Sequence, residues 1–182
     1  MDKREQAITN ILLATIDCIS EDGIAGTTVR SITAKAGVNT AAINYYFGSR
    51  ERLIEAALQE TLKNAFDTDD IIRKPEDDYK TVFAATLSHW YDGAVQYPGI
   101  TRAHFDEIVN QRSGAETISA GFQKFILDIY HILIQHGLED SPASLARVKI
   151  AFGAFMFGVI FPNIARPAEK KEDLIGLLVD SI

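Results

Sequence analysis

Between Thr27 and Leu53 the chain reads TTVRSITAKAGVNTAAINYYFGSRERL, and several of these side chains suit one kind of chemistry. If the stretch from about 40 to 47 is helical, Thr40, Ala41, Asn44 and Tyr45 share its outer side. Small residues at a helix start let its backbone approach a groove closely, and Asn or Thr can hydrogen-bond base edges. Tyr45, Tyr46 and Arg50 suit phosphate oxygens. The unpaired amides at the start of a helix opened by Thr28 would add a phosphate site. The alternative is plain packing by the two tyrosines, with Arg50 a solvated charge that opens the next helix.

The elements that must hold these residues are all helical. Ile8, Ile11, Leu12, Thr15, Ile16 and Ile19 recur at helical spacing, which predicts an amphipathic helix from Lys3 to Glu21. Asp22-Gly23 ends it, the glycine supplying a left-handed cap position. Thr27 or Thr28 caps a second helix through about Ala36, and Gly37 stops it. Asn39 or Thr40 caps a third that ends near Phe47. After Gly48-Ser49 a fourth runs from Arg50 to about Phe66, with Leu53, Ile54, Ala57, Leu58 and Leu62 along one side. The second and third form a helix-turn-helix, with Val29, Ile32, Ala36, Val38, Ile43 and Phe47 facing inward. Helices this short are not stable alone, so the long first helix must cover them.

The segment closely resembles the DNA-binding domain of the tetracycline-repressor (TetR) family. The resemblance rests on Thr28, Ile32, Ala36-Gly37-Val38, Ile43, Tyr45-Tyr46-Phe47, Arg50 and Leu53 at matching spacing, and it is specific over about residues 8–60. It implies phosphate contacts from Thr28, Tyr45, Tyr46 and Arg50. It implies base-edge or close backbone contacts from Asn39, Thr40, Ala41 and Asn44. Two positions depart from the family pattern. Asn44 stands where tyrosine is usual, exchanging an aromatic phosphate contact for an amide that can read adenine. Arg50 stands where lysine is usual and keeps the charge.

The remainder also reads as helix. Residues 67–78 (DTDDIIRKPEDD) are acidic, contain Pro75 and read as a linker. Beyond them helices are expected near Tyr79–Tyr97, Pro98–Arg112, Glu116–His136, Ala143–Ala165 and Glu169–Ile182. The fold class is all-α: a three-helix DNA-binding domain over 1–48, a connecting helix over 49–66, and a helical domain over 67–182. The resemblance implies that this last domain binds a small-molecule effector and pairs two chains through its last two helices. Phe83, Leu87, Trp90, Tyr91, Phe105, Ile108, Phe122, Phe125 and Tyr130 are candidates to line an apolar pocket, with His104 and His131 as its polar groups. Near the C-terminus, small residues (Ala151, Gly153, Ala154, Gly158) alternate with Phe152, Phe155, Phe157 and Phe161. A helix apolar nearly all round must be buried on every side, which favours a subunit interface shared with Leu174, Leu177, Leu178 and Val179.

Composition narrows the partners. The formal net charge is −7, yet residues 1–52 hold six basic and six acidic side chains, leaving 12 basic and 19 acidic for the rest. A neutral N-terminal region joined to an acidic body predicts modest non-specific affinity for DNA, because phosphate neutralisation supplies most of that affinity. His131 and His136 are five apart and diverge on a helix, so no metal site is expected, and no cofactor. No phosphate-cradling glycine loop or nucleophile elbow is present, and an enzyme is not expected. Ile150–Phe161 is about half the ~20 residues that span a bilayer, so no membrane partner is expected. The single cysteine, Cys18, fits a reducing cytoplasm. The expected partners are near-palindromic duplex operator DNA, a small-molecule effector and a second copy of the chain. A helical adaptor that binds proteins without reading DNA is the alternative.

Overall fold

The computed structural model describes residues 2–66, 74–112, 114–161 and 170–182. Every regular element among them is a helix: α1 Lys3–Gly26, α2 Val29–Ala36, α3 Thr40–Phe47, α4 Arg50–Ala65, α5 Tyr79–Gln96, α6 Pro98–Val109, α7 Ala115–Gln135, α8 Pro142–Ile160 and α9 Lys171–Val179. The expected linker at 67–78 and the end of the Ala143–Ala165 helix fall largely outside the described residues.

Local chemistry sets the boundaries. Asp2 caps α1, accepting from the amides of Arg4 and Glu5 while the Glu5 carboxylate accepts from the Asp2 amide, a reciprocal capping box. The helix breaks at Gly23, where φ is +69°, a conformation that carries little penalty only for glycine. Thr28 caps α2 and Gly37 ends it in the left-handed region.

Two compact units divide the chain. The first comprises Met1–Asn64 with Tyr97–Ile118, the second Ala65–Gln96 with Ser119–Ile182. The division differs from a boundary at 67 by one element, because α6 packs on α1. Ile19, Ile54, Ala57, Leu58, Ile100 and Ala103 form the core that joins α1, α4 and α6. The contact is close enough to require glycine. A Cβ on Gly99 would lie 2.3 Å from the Ser20 carbonyl oxygen, well inside contact distance. A second core in this unit, Ile11, Ala14, Cys18, Ile32, Ile43 and Leu53, holds α2 and α3 under α1. Cys18 is buried there.

In the second unit α5, α8 and α9 pack together. Phe83, Leu87, Phe125, Val148, Phe152 and Phe155 are buried. Gly121 faces Phe66 so closely that an added Cβ would stand 2.6 Å from its ring. Helix α8 is long and apolar enough, at mean hydropathy 1.6, to cross a membrane by length and composition, longer than the apolar stretch read from the sequence. Its two sides differ. Val148, Ala151, Phe152, Phe155 and Met156 are core, whereas Ile150, Gly153, Ala154, Phe157 and Phe161 are exposed. Burial on every side is thus not what the single chain shows. Of the four residues expected to join α8 at an interface, Leu174, Leu178 and Val179 are buried within the unit and Leu177 is exposed.

Candidate nucleic-acid interface

The face of interest is built by two caps and a turn. The Thr28 hydroxyl accepts from the Ser31 amide at 3.0 Å, and the Ser31 hydroxyl accepts from the Thr28 amide at 2.9 Å. This pairing fixes the first turn of α2 and leaves its earliest amides free to meet an anion. At the other end the amides of Gly37 and Val38 both donate to the Thr33 carbonyl, and Gly37 adopts φ +67°. The chain reverses there and enters α3 at Asn39, whose side-chain oxygen accepts from the Ala42 amide at 3.0 Å. Asn39 was a candidate base contact. Its Oδ1 is occupied by the cap, which leaves its NH2 as the outward donor.

Helix α3 is two-sided. Ile43 is fully buried, while Thr40, Ala41, Asn44 and Tyr45 are exposed, Tyr45 at 78%. Tyr46 is half-buried against the core of α1–α3. Its ring meets Tyr45 edge to face, centroids 4.9 Å apart, so one tyrosine is anchored and steadies the other. Six of the eight expected contact residues, Thr28, Asn39, Thr40, Ala41, Asn44 and Tyr45, are exposed on α2, α3 and their caps.

Arg50 is held by the fold itself. Its Nε donates to the Thr27 carbonyl at 2.6 Å and its Nη2 to the Ile24 carbonyl, with Nη1 3.5 Å from Glu51. Two of the five guanidinium N–H groups are given to carbonyls at the end of α1, where a cation is favoured, so Arg50 is anchored within the fold and not a freely swinging cation. Hydrogen bonding lowers the neighbouring Glu51 carboxyl below its usual range, its own backbone first and the Ser49 side chain next. Lys35 is tied to Glu21 at 2.6 Å, and that bond raises its ammonium. Arg30, exposed in the first turn of α2 and free of ion pairs among the described residues, is a cation that sequence reasoning passed over. Its position two residues past the Thr28 cap was the available signal.

The candidate pocket residues divide between the units. His104, Phe105 and Ile108 lie on α6 in the first; Phe83, Leu87, Trp90, Tyr91, Phe122, Phe125 and Tyr130 lie in the second. Trp90 stands among the rings of Phe66, Phe122, Phe125 and Phe152 at 4.7–5.8 Å, and its buried Nε1 has no acceptor among the described residues. Tyr130 is otherwise employed. Its hydroxyl donates toward Asp140 and the Ser141 carbonyl and accepts from the Ser141 amide, locking the α7–α8 connection. His131 is exposed. No group of three metal-ligating side chains occurs among the described residues.

His104 is buried beside α4. The Thr61 hydroxyl donates to the Leu58 carbonyl at 2.9 Å and lies 3.0 Å from His104 Nε2. Its proton being committed, it accepts from Nε2–H, so Nδ1 is the bare acceptor. That Nδ1 is buried without a donor. Desolvation pushes the imidazole down to about 4.

The sequence profile of bacterial regulatory proteins of the tetR family matches residues 11–57, which span α1 through the first half of α4. Residues 11–57 carry the TetR-family pattern. The TetR-family segment is also 33% identical over 61 residues to the HTH-type transcriptional regulators BetI of Burkholderia thailandensis and of Paraburkholderia xenovorans. Those matches cover 34% of this chain and 31% of each relative, so the chain spans about a third of their length. Beyond the TetR-family segment the likeness is one of fold. A tetR-family transcriptional regulator from Streptomyces coelicolor superposes with TM-score 0.75 at 17% identity, covering 97% of this chain and 79% of that one. The regulator FadR from Bacillus subtilis, in complex with stearoyl-CoA, superposes with TM-score 0.69 at 20% identity, covering 96% and 98%.

Proposed function

We propose that the protein is a sequence-specific DNA-binding transcriptional regulator, a repressor that leaves its operator when a small-molecule effector binds, and not an enzyme. The observation that carries the reading is the two-sidedness of α3: Ile43 is fully buried while Thr40, Ala41, Asn44 and Tyr45 are turned outward beside the Thr28 cap. Thr40, Ala41, Asn44 and the Asn39 amide supply base-edge or close backbone contacts. Thr28, Tyr45, Tyr46 and Arg30 position the phosphates. Arg50 acts through the carbonyls it holds.

The chain pairs with a second copy through α8 and α9. Ile150, Gly153, Ala154, Phe157 and Phe161 form an exposed apolar stripe at helical spacing on α8, and Leu177 is 60% exposed on α9. Exposed apolar area of this kind marks an interaction surface, and the two small residues allow close helix approach. Two recognition helices in successive major grooves demand half-sites about 34–36 Å apart and hence a near-palindromic operator.

The effector is an apolar molecule with an acceptor atom. The aromatic cluster of Phe66, Trp90, Phe122, Phe125 and Phe152 supplies contact area, and the unpaired Trp90 indole N–H supplies a donor. The B. subtilis FadR structure, of the same fold, is a complex with stearoyl-CoA, which supports a small-molecule ligand for this chain. An effector that binds the DNA-incompetent arrangement more tightly shifts the population away from DNA, and the two ligands weaken each other by one factor. A regulator of this kind works in the cytoplasm.

The test is affinity for a random-sequence duplex across salt concentration, comparing the native chain with Tyr45→Ala/Thr28→Ala. Weaker binding by the variant with its fold intact supports the reading. Equal binding leaves the helical adaptor, with α3 as scaffold.

A further inference from the structure

Within the first unit a cavity of about 220 Å³ is lined by α4, Ile24 near the end of α1, and Glu107, Arg112, Gly114, Thr117 and Ile118. It shares no residue with the aromatic cluster around Trp90 and lies away from the outer face of α3. One wall is apolar: Ile54, Leu58, Leu62 and Ile118, all buried. The other carries charge in an unbalanced set, the carboxylates of Glu51, Glu55 and Glu107 against the guanidinium groups of Arg50 and Arg112.

The two arginines are already engaged, which leaves Glu55 without a cation among the described residues and Glu107 with a distant one. Arg50 is bound to the Thr27 and Ile24 carbonyls and stands 3.5 Å from Glu51. Arg112 pairs with Asp106 at 2.8 Å and reaches Glu107 Oε1 only at 3.9 Å, too far for a hydrogen bond. Glu107 is 8% exposed, and its Oε2 accepts from the Gly114 amide at 3.2 Å. Glu55 is half-buried with no cationic partner among the described residues. A carboxylate as deeply buried as Glu107 is costly unless it is paired and hydrogen-bonded, and among the described residues its Oε1 meets only Arg112 Nη1, at 3.9 Å.

We propose that this cavity binds a small organic cation, an ammonium or amidinium group on a short apolar body. The head sits between Glu55 and Glu107, and the body lies against Ile54, Leu58 and Ile118. The size is right for it: an apolar cavity of about 150 Å³ holds benzene, and 220 Å³ adds room for a one-carbon charged head. Arg50 lines the same cavity and clamps the α1–α2 junction, so occupancy is felt at the reading head. The site itself does not depend on the DNA-binding reading.

The test uses the full, 15N-labelled chain titrated with benzylammonium chloride and, separately, with benzyl alcohol, its neutral counterpart of the same shape. The Gly114 amide reports directly, because it donates to Glu107. The expected result is a saturable shift of Gly114 with benzylammonium, at least about tenfold tighter than with benzyl alcohol, the worth of one charge-assisted hydrogen bond. Glu107→Gln removes the charge but keeps an oxygen for Gly114, and it erases that preference. Glu55→Gln, on a half-buried position that folds readily, reduces it. Equal affinity for the two probes, saturable shifts confined to the Trp90 cluster, or no saturation overturns the proposal.

Discussion

Arg50 and Thr27 are joined by a hydrogen bond of 2.6 Å from the guanidinium Nε to the backbone carbonyl oxygen. Together with the bond to Ile24 it closes the end of α1, where Gly23 has broken the helix and left carbonyls without intrahelical partners. Arg50→Ala should therefore cost about 2–3 kcal/mol of stability, the worth of charge-assisted bonds at a partly buried site. It should leave the salt dependence of DNA binding unchanged. A phosphate contact would instead reduce the slope of log Kobs against log salt by about 1. Urea unfolding and a salt titration on the same variant separate the two roles.

Tyr45 and Asn44 make the opposite prediction. Both are exposed on α3, so Tyr45→Ala and Asn44→Ala should change stability by no more than about 0.5 kcal/mol. Tyr45→Ala should weaken binding to all duplexes alike. Asn44→Ala should cost about 1–3 kcal/mol at one base-pair position and relax the preference there. Competition among duplexes that differ at single positions would read this out.

Gly99 tests how tightly the first unit is assembled. Because a Cβ would lie 2.3 Å from the Ser20 carbonyl, Gly99→Ala must push α6 off α1. The expected loss is at the upper end of the about 1–3 kcal/mol typical of overpacking, measured as a fall in the urea midpoint.

The acid limb of the stability curve should contain His104. Its imidazole is held to about 4 by burial, whereas unfolding returns it to about 6.5. Between these values the unfolded chain binds a proton that the folded chain does not, so stability falls as pH drops from about 6.5 to about 4. The full effect is about 3 kcal/mol, with about 2 kcal/mol already gone by pH 5. His104→Leu should lose correspondingly less stability between pH 7 and pH 5 than the native chain.

Much of the first unit was legible because its signals are local. Gly23, Gly37 and Gly48 take the positive φ values that the helix stops required, and Thr28 and Asn39 turned out to be the caps among the alternatives. The outward side of α3 followed from helical periodicity once its start was fixed. What was not legible depends on distant parts of the chain. The seating of α6 on α1 turns on Gly99 meeting Ser20, a complementarity between surfaces about eighty residues apart that periodicity does not encode. Arg50 looked like a free cation because nothing in its neighbourhood reveals two waiting carbonyls at Ile24 and Thr27. The all-round apolarity of α8 did not say which side faces the core; Phe155 is inside and Phe157 outside.

That exposed side gives a prediction of its own. Phe157→Glu with Ile150→Glu should leave the helical fold intact and convert a dimer to monomer in sedimentation equilibrium, since both side chains lie at least half exposed in the single chain. A native chain that sediments as a monomer at every concentration would remove the basis for a palindromic site.

The most direct test of the central claim is selection of bound duplexes from a randomised pool, with Tyr45→Ala/Asn44→Ala as control. The native chain should enrich a near-palindrome with half-site centres one helical turn apart, and the control should enrich it more weakly, with the preference lost at the position Asn44 reads in each half-site. Recovery of unselected sequence by both proteins, or an identical motif at equal strength from both, would contradict it.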